Sequence, residues 1–172
     1  MGDLAFKYTR MTMPMLSGPE HCRPFSPSTS LPGQINDIKK ILEALRGLDI
    51  ATPLKRRMLS EALWLFAFAT GNRQGQFRGR WMSENVKRGT GEKIQRDHVY
   101  SMKSLLNELL GPSPDLNQIA ARAQCCVVVT ADEHTRLTRS KSDGGEKYRI
   151  AGISVYDMLD GKRVTAELEW GP

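Results

Sequence analysis

Apolar positions first recur at helical spacing in Ile35, Ile38, Ile41, Leu42 and Leu45, and Gly47 closes the run, so a first helix is expected there. A second should open with Thr52 as cap and Pro53 at its first position and continue to about Ala69. After Glu61 this segment is nearly apolar all round, the mark of a helix surrounded by its neighbours. Met102, Leu105, Leu106, Leu109 and Leu110 predict a third helix ending at Gly111-Pro112, and Leu116, Ile119, Ala120 and Ala123 a short fourth. The compact run Cys125-Cys126-Val127-Val128-Val129 predicts a buried strand. It breaks at Thr130-Ala131-Asp132-Glu133, a capping box that opens a helix through about Arg139. Residues 140–146 form a polar loop, and Lys93–Val99 a possible strand. Ile153–Leu159 and Lys162–Trp170 flank Asp160-Gly161, the signal for a tight hairpin, with Val164, Ala166, Leu168 and Trp170 alternating with polar residues.

These elements predict an α+β fold: a helical N-terminal part, then a small mixed β/α region ending in a β-hairpin. Residues 1–33 hold five of the nine prolines and show no apolar period, so they are expected to form an extended arm or a partly disordered segment. The remainder, 34–172, is expected to be one α+β domain. Its parts are a helical scaffold (34–70), a basic segment with a candidate site (71–139), and a loop and hairpin (140–172). No internal repeat is visible.

Charge adds a partner to this picture. Lys and Arg number 25 against 19 Asp and Glu, for a formal net charge of +6. Such an excess favours anionic partners, because neutralising phosphates releases counterions. The three cysteines, Cys22, Cys125 and Cys126, are an odd number with one adjacent pair, which points away from a disulfide framework and towards a reducing cytoplasm. The longest apolar patch, residues 62–69, is too short to span a bilayer.

The cations are concentrated in residues 71–103. Arg73, Arg78, Arg80, Lys87, Arg88, Lys93 and Arg96 are the candidate nucleic-acid contacts, with Phe77 and Trp81 as aromatic platforms on which bases could stack. DNA is expected ahead of RNA.

Two of the three histidines occupy suggestive positions. His98 follows Asp97 at the end of the possible strand, and His134 lies in the first turn of the capped helix, straight after the Val127–Val129 strand. The residues Asp97-His98-Val99 and Val128-Val129-Thr130-Ala131-Asp132-Glu133-His134-Thr135-Arg136-Leu137 resemble the HNH (ββα-metal) nuclease family, over about 45 residues. The resemblance implies a divalent metal ion (Mg, Mn or Zn) held by Asp97 and His134, with His98 as general base on water. The reaction implied is metal-dependent phosphodiester hydrolysis. Arg96 and Arg136 are the nearest cations for the developing phosphate charge, and Arg96 is the better candidate, since Arg136 lies roughly 200° round the helix from His134. On an ideal strand Asp97 and His98 face opposite sides, so one metal can use both only at a strand end or bulge. Two other readings stand beside this one. One is a non-catalytic nucleic-acid-binding protein. The other is a protein–protein interaction or inhibitor module of a defence or phage system, for which the charge would be a steering surface.

Overall fold

The structure, a computed structural model, describes residues 30–69, 79–89 and 93–164. It is α+β: helices at the N-terminal side, then a five-stranded mixed sheet with short helices between its strands. Helix α1 (Leu31–Gly47) starts one turn before the expected Ile35, because Pro32 sits in its first turn, where its missing N–H is not needed. Helix α2 (Thr52–Ala69) begins one residue earlier than Thr52-as-cap would give. The Ala51 carbonyl accepts the first helical bond, from the Lys55 N–H (3.0 Å). The helices α4 (Met102–Leu109) and α5 (Leu116–Gln124) complete this layer. Ile38 and Leu42 of α1, Leu59, Leu63 and Phe66 of α2, Leu105 and Leu109 of α4, and Ile119 of α5 form its core.

Strand β1 (Trp81–Ser83) and helix α3 (Glu84–Arg88) occupy a stretch that the charge pattern reads as a solvated basic loop. All three residues of β1 are buried, because it lies in the middle of the sheet. Trp81, expected as a stacking platform, is 6% exposed and packs with Val127 and Tyr148, with the Arg80 guanidinium 5.0 Å above its ring. Phe77 lies outside the described residues. Gly79 leads into β1, and a Cβ there would stand 2.7 Å from Val128 Cγ2, so only glycine lets the chain pass this close to the next strand.

Strand β2 (Ile94–His98) and strand β3 (Cys126–Thr130) coincide with the expected ones, and β3 is buried throughout. Helix α6 (Ala131–Arg139) carries the full capping box between Thr130 and Glu133. The polar stretch after it leads into a further short helix, α7 (Glu146–Ile150). Strands β4 (Val155–Asp157) and β5 (Arg163–Val164) pair antiparallel, Val155 with Val164. Their connection is wider than the tight turn expected. Four residues, Met158–Gly161, lie between the Asp157 N–H and the Lys162 carbonyl it bonds, and Gly161 takes the positive φ of 72°. Residues 165–172 lie outside the described residues.

The sheet order is β2-β3-β1-β4-β5, with β1 parallel to β3 and every other pair antiparallel. The two parallel strands therefore finish at the same end of the sheet, and each feeds a helix directly: Ser83 caps α3 and Thr130 caps α6. Among the described residues no helix is long and apolar enough to cross a membrane.

Candidate functional site

β2 determines what Asp97 and His98 can do together. Asp97 is registered with Val127 and His98 with Cys126, and successive side chains of a strand point to opposite faces. No bulge interrupts this register, so the two residues do not converge.

Asp97 joins a compact cluster on one face. The Tyr148 hydroxyl donates to its Oδ2 at 2.5 Å, the Lys147 ammonium lies 2.7 Å from the same oxygen, and His134 Nε2 is 3.9 Å from Oδ1. Lys147 also donates to the His98 carbonyl. Burial, and then the neighbouring Asp97 carboxylate, push the Tyr148 hydroxyl well above the usual phenol range. His134 is the most exposed member, at 31% of its side chain, placed by the capped start of α6. Lys147 and Tyr148 arrive on α7, after Gly144 (φ 69°) turns the chain and donates its N–H to the Val99 carbonyl (3.1 Å). Nothing in the local pattern around Lys147 and Tyr148 marks them as interior residues. Their role depends wholly on what β2 presents.

His98 faces α2 instead. Its Nδ1 is 3.2 Å from Cys126 Sγ and its ring meets the edge of Trp64, with centroids 4.3 Å apart. Its Nε2 is buried with no hydrogen-bond partner among the described residues. Burial is the main cause that holds the imidazole pKa down to about 4, so the ring is neutral at neutral pH; the buried Cys126 thiol is pushed up to about 12. A folded-state pKa below the unfolded value of 6.5 means that the unfolded chain binds the extra proton between those limits. Stability should therefore fall as pH drops from about 6.5 to about 4, by about 3 kcal/mol from this group. Urea unfolding at a series of pH values would show the slope, and the substitution His98→Gln should flatten it. Parallel profiles for the two proteins would refute the assignment.

A buried carboxylate lies where β1 and β3 end. Glu133, 2% exposed, accepts from Ser83 Oγ (2.6 Å), Asn85 Nδ2 (2.9 Å) and the Thr130 N–H (2.9 Å). It thus closes the space between the starts of α3 and α6 with the chain's own anion. The capping box predicted only its bond to Thr130. Cys125, just before β3, and Cys126, its first residue, are both buried, the one packed with Val127 and Tyr148 and the other against His98, with no disulfide between them.

The donors do not fit the metal ion that the resemblance implies. Among the described residues no three His, Cys, Asp or Glu side chains are grouped to hold one. An ammonium already neutralises Asp97, and a second cation beside it would be repelled. The proposed base, His98, lies on the far face.

The cationic residues divide. Lys87, Arg88 and Lys93 are exposed. Lys87 lies 4.2 Å over the Tyr156 ring, and Arg88 pairs with Glu84. Arg80 is bound to Asp157 (3.0 Å). Arg96 is half-buried and donates to the Ala67 carbonyl of α2 (3.0 Å). Arg73 and Arg78 lie outside the described residues. No protein-family model, curated protein or solved structure matches the chain.

Proposed function

We propose that the chain binds nucleic acid, without cutting it, at the end of the sheet where β1 and β3 finish. The observation that carries this reading is a convergence of exposed cations produced by the topology. β1 ends in α3, which carries Lys87 and Arg88, and the chain then returns to Lys93, whose neighbour Ile94 pairs with Thr130 at the end of β3. Three of the cations that the sequence marks thus gather at one end of the sheet, and the whole chain carries a net charge of +6. Lysine and arginine on short, exposed segments suit phosphate contacts that carry no base preference. Hydrolysis draws no comparable support, since Asp97 is bound by Lys147 and His98 faces away from it.

Fluorescence anisotropy with labelled duplex DNA and single-stranded RNA across a salt series tests this. Wild-type binding should weaken steeply as salt rises. The triple substitution Lys87→Ala/Arg88→Ala/Lys93→Ala should lower affinity for duplex at least tenfold at low salt, and reduce the log–log salt slope by up to about 0.9 per cation removed. Equal binding by the triple variant, or no wild-type binding at low salt, rules the reading out. Supercoiled plasmid incubated with Mg²⁺ or Mn²⁺ should stay intact. Nicking lost on Asp97→Asn or His134→Ala would instead establish hydrolysis.

A further inference from the structure

Strand alternation divides β4 and β5 between the two faces of the sheet. Val155 and Val164 are registered with each other and pack with Trp81, Val127 and Tyr148 on one face. Tyr156 and Arg163, the next registered pair, therefore project from the other. Register continues this second face across the sheet, from Tyr156 to Met82, from Met82 to Val128, and from Val128 to Arg96.

Different elements cover different parts of that face. α2 lies over its β2 end, where Ala67 and Trp64 meet Arg96 and His98. α3 lies over its middle, where Val86 packs with Met82 and Val128. At the β4–β5 end Tyr156 is half-buried and Arg163 is exposed. The Lys87 ammonium, also exposed, stands 4.2 Å from the centre of the Tyr156 ring. Neither Lys87 nor Arg163 is joined to a carboxylate among the described residues, so the charge of both can serve an external anion.

An aromatic ring between two such cations combines two kinds of recognition. The ring suits a flat partner, and the cations suit phosphates. A nucleotide supplies both, provided that its base is unpaired. In a duplex each base is stacked between its neighbours and offers only an edge in a groove. In a single strand the base can turn its face to an aromatic side chain. Lys87, on a flexible four-carbon stem, can move from the ring to a phosphate as the base takes its place.

We propose that the nucleic acid bound at this end of the sheet is single-stranded, with an unpaired base stacked on Tyr156 and adjoining phosphates held by Lys87 and Arg163. This rests on the nucleic-acid reading and names the form of nucleic acid that the same surface selects. Tyr156 is one residue from Val155, which pairs with Ser83 where β1 ends, and Lys87 belongs to both sets of contacts.

Fluorescence anisotropy with the full chain tests the proposal, using labelled single strands of DNA and of RNA and a DNA duplex of the same length. Wild type should bind a single strand more tightly than the duplex. Tyr156→Leu keeps apolar bulk but no ring. It should weaken binding of the preferred single strand, DNA or RNA, by about fivefold or more, the usual effect of losing one stacked base, and weaken duplex binding far less. Tyr156→Phe should keep the wild-type preference, because stacking needs only the ring. Arg163→Ala should reduce the log–log salt slope for the single strand by about 0.7. An abasic strand, with phosphates and no bases, should bind wild type and Tyr156→Leu alike. Duplex bound as tightly as either single strand, or Tyr156→Leu weakening both forms equally, overturns this inference and leaves the nucleic-acid reading standing. Wild type that binds neither form overturns both.

Discussion

Replacing Glu133 by alanine is expected to lower the stability of the fold by about 3–5 kcal/mol, a large share of the total for a domain of this size. The carboxylate, on α6, is interior and accepts from a hydroxyl, a side-chain amide and a backbone N–H that belong to β1, α3 and β3. Removing it leaves Ser83, Asn85 and Thr130 with donors aimed at an empty space, and each stranded buried donor costs about 1–3 kcal/mol. The losses are not fully additive, because the relaxed site can admit water. Glu133→Gln should be milder, at about 1–2 kcal/mol. The amide oxygen can keep the capping-box bond, but its NH₂ then faces a group that also donates. Urea unfolding followed by far-UV circular dichroism measures both. An alanine variant within 1 kcal/mol of wild type would show that these bonds do not hold the three elements together.

The second large effect is expected at Asp97. In Asp97→Ala the Lys147 ammonium, only 10% exposed, loses the carboxylate 2.7 Å away, and Tyr148 loses its acceptor. Breaking a buried pair from one side costs about 3–5 kcal/mol, because the remaining charge is still desolvated. Lys147→Met should be comparably damaging, since it leaves the carboxylate with the tyrosine bond but no cation. The combination Asp97→Asn/Lys147→Met removes both charges together and should be more stable than the sum of its single changes predicts, by about 2 kcal/mol or more. A double-mutant cycle on unfolding free energies measures this coupling. Strictly additive losses would mean that the two groups are held independently, and that the cluster is not a unit.

Much of the fold was legible because it rests on local pattern. The apolar spacing of Ile38, Leu42 and Leu45 marks α1, the continuous run Cys126–Val129 marks β3, and Thr130 with Glu133 marks the start of α6. β1 was not legible, because three residues set among glycines and arginines carry no period. Trp81-Met82-Ser83 is a strand only because β3 and β4 flank it, from far along the chain. The same holds for the site. Asp97 and His134 stood out as chemistry-bearing residues, and the structure brings them within 3.9 Å. The partners that decide the state of Asp97, namely Lys147 and Tyr148, sit about 50 residues later in a stretch with no hydrophobic period. Strand alternation excluded His98 from that cluster, and this was the one geometric consequence that could be drawn in advance.

The central place of β1 also governs the order in which the chain can fold as it is made. Both neighbours of β1 are encoded later: Met82 must wait for Val128, and Ser83 for Val155, about 70 residues downstream. At a synthesis rate of about 5–20 residues per second, that is a delay of several seconds. During it, the backbone amides and carbonyls of Trp81 and Met82 are open to any other extended peptide nearby. α1 and α2, whose contacts are close in sequence, can already have formed. A nascent chain paused between α5 and β3 would thus be a helical hairpin carrying an unpaired strand, open to misassembly.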